Sequence, residues 1–229
     1  MTVPGAYARA FRQLDDRAFR GPAIRAAAWS LAVFAMLAVV VSIGLGVFGP
    51  FESGLADTAV GIAGAILVLV LAFFLFPLAM TTVIGLYLDD VALAVEQRWY
   101  PGGEGRELPM ARALAEGLRF AGFALLVNVL MIPLYLLALI PGLQFIGLVF
   151  YAVNGFLVGR EYFEAVAMRH MPREAVPALR KRHRTAVWGL GVVGVFLMTI
   201  PLLNVIGPIL ITAAMVHAFK DAAADPSPR

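Results

Sequence analysis

The sequence predicts an all-α integral membrane protein: two long transmembrane helices, two proline-broken re-entrant (hemi-penetrating) helical hairpins, and an N-terminal interfacial amphipathic helix. Three observations predict it. Hydrophobic residues make up 61 % of the 229 residues and charged residues 14 %, against roughly 45–50 % and about 25 % in soluble domains. A soluble chain of this size could not cover so much apolar surface. The apolar residues fall into four long runs, and two of these carry the same interruption, "IPGLQFIG" at 140–147 and "IPLLNVIG" at 200–207. The length leaves room for a single membrane domain, 1–229, and none for a separate soluble one.

Residues 1–22 hold Arg9, Arg12, Arg17 and Arg20 beside Tyr7, Phe11, Leu14 and Ala18 at helical spacing. That pattern suits an amphipathic helix lying on a membrane surface. No cleavable signal peptide is expected, because the apolar stretch that follows exceeds the roughly 7–15 residues of a signal core. Residues 23–48 are apolar apart from Arg25 and can span ~30 Å of hydrocarbon with some tilt. The connector 49–57, "GPFESGLAD", carries Glu52 and Asp57 and no basic residue. Residues 58–88 form the second long run, with Pro77 as an expected kink.

The polar stretch 89–119 continues that helix out of the bilayer, turns over 100–105 on Pro-Gly-Gly grounds, and re-enters a helix over 108–119. The third apolar region, 120–159, breaks at Pro141-Gly142. A basic segment follows, 160–184, and then the fourth apolar region, 186–219, broken at Pro201. The tail 220–229 is polar and proline-rich. Basic residues crowd the N-terminal segment and 160–184, which places both termini and both later loops in the cytoplasm and 49–57 outside.

Each of the two later regions therefore starts and ends on one side and turns at its centre. The turns hold no charge, only the amides Gln144 and Asn204. The arm 186–200 is about 22 Å long at 1.5 Å per residue, short of the ~30 Å needed to cross. One reading is a hairpin that turns at proline inside the bilayer, with Gln144 and Asn204 supplying donors to freed carbonyls or lining a cavity. The other is two kinked, fully spanning pairs. The shared motif also suggests an internal repeat, a feature of many transporter folds.

"KRHRTAVWGLGVVGVFLMTIPLLNVIGPILITAAMVHAFKD" closely resembles the C-terminal part of the bacterial CysZ-type sulfate permeases of the EI24/CysZ superfamily. "LALIPGLQFIG" followed by "GREYFE" resembles that family's first hairpin and the segment after it, and "FPLAMTTVIGLYLDDVALAVEQRWYP" the end of its second long helix. The resemblance covers most of 20–220. It implies two spanning helices, two hemi-penetrating hairpins, cytoplasmic termini, a homo-oligomer in the bacterial inner membrane, and inward movement of sulfate feeding cysteine synthesis.

The candidate anion site is "GPAIR". Pro22 suits a first helical turn, where free backbone N–H groups and the positive helix end attract an anion. Arg25 adds a planar fork that binds oxyanions in pairs. The family's sulfate motif, Gly-Leu/Ile-Arg after proline, maps onto Ala23-Ile24-Arg25. Two departures weaken tight binding: Ala23 replaces the glycine, and Ala26 stands where the pattern has a second arginine. Arg25 also fits a snorkelling anchor at a helix end.

Other constellations are less specific. Arg160 and Glu164 stand at i,i+4 and form a candidate ion pair, at the interface or in an ion pathway. Asp89, Asp90 and Glu96 read as a solvated helix end, and His170 and His183 as facing water. The basic "RKRHR" suits anionic headgroups rather than nucleic acid. The chain has no cysteine, and no metal-ligand set, phosphate loop or Ser-His-Asp set appears in it, so no cofactor, metal or enzymatic activity is expected. The leading expectation is a permease or channel for sulfate or a related small oxyanion, with Pro22, Ala23, Ile24 and Arg25 capturing it and the tips Pro141, Gln144, Pro201 and Asn204 along the path. The alternative is a non-transporting membrane interaction or assembly protein of the same fold.

Overall fold

The computed structural model describes residues 2–16, 20–21, 24–25, 28–29, 32, 35–36, 39–40, 42–44, 62–64, 66–67, 88–106, 109–200, 203 and 206–224. These residues are helical or in turns, with no strand among them. They divide into two compact units, Met1–Arg20 with Leu88–Arg229, and Gly21–Tyr87. In the second unit the described residues are all helical, and large apolar side chains such as Ile24, Trp29, Met36 and Ile43 are exposed. Most of the two expected spanning segments, 23–48 and 58–88, lies outside the described residues. Among the described residues, no helix is long and apolar enough to cross a membrane.

The first unit contains α1 (Val3–Arg12), α2 (Met110–Leu137), α3 (Gly147–Met168), α4 (Val176–Arg182), α5 (Arg184–Thr199) and α6 (Gly207–Ala223). Helical residues 88–99 precede α2. In α1, Pro4 lies in the first turn and Arg9 and Arg12 in the last, where a cation suits the helix dipole. Its buried face is Ala6, Tyr7 and Ala10, packed mainly on α6. Here the sequence expectation needs correcting. Phe11 is exposed, and the face that matters is built from small residues that let Tyr7 reach inward and donate to the Leu190 carbonyl at 2.8 Å.

The turn expected at 100–105 is present, and the helix expected over 108–119 runs unbroken from Met110 to Leu137 with Pro133 inside it. The first hairpin therefore has arms of 28 and 22 residues, longer than the sequence expectation. Its tip is Pro141-Gly142, with Gly142 at φ +90, and a 3-10 turn over Gln144–Ile146. The second hairpin is shorter, 16 residues in α5 and 17 in α6. Ile200 is extended at the end of α5, the conformation favoured before a proline. Pro201 and Asn204 lie outside the described residues.

The two hairpins join through glycine. Gly155 and Gly159 on α3 face Gly191 on α5, and a Cβ on Gly191 would run into the Gly155 carbonyl and the Gly159 backbone. This small-residue spacing lets antiparallel backbones touch, a common solution among membrane helices. Asn128 on α2 donates to Ala124 O and to Asn154 Oδ1 on α3, at 2.9 and 3.3 Å, giving the first hairpin a polar tie. Every residue of α6 from Gly207 to Phe219 is buried, as expected of a helix apolar on all sides. It packs against α1, α3 and α5 and forms the centre of this unit.

Candidate functional site

The residues singled out in the sequence are not brought to one place. Pro22 and Ala23 lie outside the described residues. Ile24 and Arg25 are helical and exposed. At the first hairpin tip Pro141 is exposed, and Gln144 Oε1 accepts the Gly142 N–H at 2.9 Å. The amide thus acts as an acceptor that closes its own turn, not as a donor to carbonyls freed by the proline. The pairing of Arg160 with Glu164 is present, Nε to Oε1 at 2.9 Å, and it is larger than expected: Arg180 Nε approaches the same oxygen at 3.0 Å.

A second cluster was misread from sequence. Glu96 is wholly buried, not solvated. Its Oε2 accepts the Gly105 N–H at 2.9 Å and Arg169 Nη2 at 3.2 Å, and its Oε1 meets His170 Nε2 at 2.8 Å. A carboxylate oxygen only accepts, so that ring nitrogen carries the proton. Arg169, also buried, reaches Asp89 through Nη1 at 3.0 Å, and its carbonyl accepts the Arg106 N–H at 2.8 Å. His170, expected in water, instead stacks on Phe219 with centroids 4.8 Å apart. Burial alone would push the Glu96 carboxyl up. The hydrogen bonds from His170 and Gly105 and the charge of Arg169 outweigh it, so the group sits below the ordinary carboxylate value.

Around this cluster the N-terminal helix is fastened. Arg9 pairs with Asp221 at 2.9 Å, and Gln13, fully buried, donates to Ala94 O at 3.2 Å. Tyr100 Oη lies 2.9 Å from His217 Nδ1, and Lys220 Nζ donates to Gly103 O. Together these contacts draw α1, residues 88–106, the end of α3 and the end of α6 into one polar knot. The arrangement immobilises rather than reacts. Among the described residues no group of His, Asp and Glu could hold a metal ion.

The Arg160–Glu164–Arg180 cluster differs because it is open. It borders a cavity of about 260 Å³ lined by Phe156, Arg160, Arg180, Arg184, Thr185, Val187 and Trp188. Burial and the neighbouring Glu164 charge push the Glu161 carboxyl up to about 8. Sequence reasoning found one pair of this cluster from i,i+4 spacing. Arg180 and Arg184 were visible only as part of a basic run.

All-helical architecture, glycine-packed helices and long exposed apolar faces describe a membrane-associated protein. The chain belongs to the family described as Sulfate transporter CysZ/Etoposide-induced protein 2.4, which matches residues 6–208. No curated protein matches the chain.

Proposed function

We propose that this protein is an inner-membrane permease or channel that passes sulfate or a related small oxyanion into the cytoplasm, where it would feed cysteine synthesis. The observation that carries the reading is the family match over 6–208, whose description names a sulfate transporter. In this reading 23–48 and 58–88 span the bilayer, the two proline hairpins enter from the cytoplasm and turn within it, and the termini stay inside. The second hairpin's helices of 16 and 17 residues support re-entrance, being about 24 and 26 Å long against ~30 Å of hydrocarbon. Arg25, with the helix start at Pro22-Ala23-Ile24, captures the anion, and the tips at Pro141, Gln144, Pro201 and Asn204 border its path. The assembly is a homo-oligomer.

The test is uptake of labelled sulfate by a host lacking its own sulfate permeases. Expression restores uptake and Arg25→Ala reduces it. No uptake from correctly inserted protein overturns the transport reading; full uptake by Arg25→Ala overturns the site alone. Because the chain has no cysteine, a cysteine placed at Leu143 or Leu202 reports topology, and labelling by a periplasmic reagent would contradict re-entrance. One observation favours the non-transporting alternative: the most elaborate polar cluster, around Glu96, is buried and joins helices together.

A further inference from the structure

We propose that the cleft between the end of α3 and the start of α5 is a binding site for an anionic phospholipid, its phosphate held by Arg160, Arg180 and Arg184 and its glycerol region seated on Phe156, Val187 and Trp188. Arg160, Arg180 and Arg184 line this cleft, with Glu164 the carboxylate shared by the first two. Glu164 engages both through their Nε edges. Arg160 makes a full hydrogen bond there, while Arg180 Nε, buried, lies at 3.0 Å without hydrogen-bond geometry. The terminal Nη donors of both arginines have no partner among the described residues. Arg184, exposed, has no ion-pair partner among them either. Paired N–H donors of this kind match the oxygens of a phosphate.

The helix geometry adds to the same field. Arg184 opens α5, a 16-residue helix whose first turn has no acidic residue and no side-chain cap. That turn therefore sets no carboxylate against the arginines. Phe123 from α2 lies 5.2 Å from the Arg160 guanidinium and holds it from the other side.

The walls select an amphiphile over a free ion. The cleft's volume, about 260 Å³, lies just under the ~300–1,000 Å³ of small-molecule pockets, enough for a phosphate with its glycerol but not for a whole lipid. Phe156, Val187 and Trp188 give it an apolar wall. Trp188 is fixed as a wall by its Nε1–H, which donates to Ala152 O at 2.9 Å. Away from the arginines both helices continue with exposed apolar side chains, Leu148 on α3 and Phe196 on α5, along which acyl chains can lie. Basic pockets between helices on the cytoplasmic side, with an aromatic at headgroup level, suit anionic lipids.

The site is independent of whether the protein transports sulfate, and its test contains no transport step. The full-length protein in a neutral detergent is titrated with short-chain phosphatidylglycerol, phosphatidylcholine, inorganic phosphate and sulfate, and bound lipid is counted by native mass spectrometry. Phosphatidylglycerol binds at least about tenfold more tightly than phosphatidylcholine, and Arg180→Gln/Arg184→Gln loses about tenfold or more of that affinity. Arg184→Gln alone changes an exposed, unpaired side chain, keeps the fold, and still weakens binding severalfold. Equal binding of the two lipids, or unchanged phosphatidylglycerol binding in both variants, overturns the proposal. Displacement of phosphatidylglycerol by phosphate or sulfate at matched concentration identifies a free-oxyanion site instead and also overturns it.

Discussion

Replacing Glu96 by Gln removes the charge from a fully buried acid while keeping its shape. In the native protein Glu96 faces three donors, Gly105 N–H, Arg169 and His170, and Arg169 retains only the half-exposed Asp89 as a second acid. Breaking one side of a buried pair costs about 3–5 kcal/mol, because the remaining charge is left uncompensated. Gln keeps one acceptor oxygen, so the lower end, about 3 kcal/mol, is expected. At about 2–4 °C per kcal/mol for a chain of this size, the melting temperature falls by roughly 6–12 °C. Thermal unfolding followed by circular dichroism in detergent measures it. The pH dependence gives a second reading. The folded Glu96 pKa is depressed below 4.5, so its contribution is present above the unfolded value and is lost as pH falls through the folded one. Wild type thus loses stability on acidification below about pH 4.5, and the gap to Glu96→Gln narrows there. Exchange of both partners, Glu96→Leu with Arg169→Met, recovers only the part due to the stranded Arg169 charge, since the Gly105 N–H and His170 still lose their acceptor. A Glu96→Gln protein that melts within a degree of wild type, with the same acid slope, would refute the buried-pair account.

Two further substitutions test the packing. Gly191→Ala places a methyl against the Gly155 carbonyl and costs at the upper end of about 1–3 kcal/mol, whereas Gly122→Ala in α2, where a Cβ meets nothing within 4 Å, is neutral or stabilising by up to about 1 kcal/mol; equal effects in thermal melts would dismiss the glycine contact. Tyr7→Phe loses the buried hydrogen bond to Leu190 O and lowers stability by about 1 kcal/mol, read in the same melts; no change would mean that this hydrogen bond adds nothing to the hold on α1.

The helical class was legible because composition and the four apolar runs leave no other solution. The proline turn at 141 was legible because proline and glycine act locally. What periodicity could not show was which side of a helix meets protein and which meets lipid, since both are apolar. That is why the α1 face was read as Tyr7, Phe11, Leu14 and Ala18, of which Tyr7 is buried and Phe11 exposed, while the buried Ala6 and Ala10 went unread. The glycines at 155, 159 and 191 carried a signal, small residues at helical spacing, and it pointed to the backbone contact between α3 and α5. Glu96 was unreadable for a different reason. An acid beside Asp89 and Asp90 looks solvated until Arg169 and His170, more than 70 positions away, arrive beside it. The Arg160–Glu164 pair lay within one helical turn and was found, whereas its third member, Arg180, needed the chain reversal between α3 and α5.

The transport proposed above requires part of the protein to move, and the packing limits what can. α3 and α5 meet backbone to backbone through glycine, so sliding one past the other drives methyls into carbonyls within a single turn. α6 is buried from Gly207 to Phe219 among them and α1, and α1 is fastened by Tyr7 to Leu190 and by Arg9 to Asp221. The Glu96 cluster ties residues 88–106 to the end of α3 by charge-assisted bonds that cannot be broken cheaply out of water. What lies outside this frame is α2, which meets α3 through Asn128 and Asn154, Phe123 against Arg160 and Tyr135 against Phe150, and whose Leu118, Leu125, Leu126 and Leu130 are exposed. An amide pair in a membrane is worth on the order of 1 kcal/mol, little enough to exchange. Conformational change in the first hairpin is therefore expected as a hinge of α2 about its junction with α3, over a core that stays fixed.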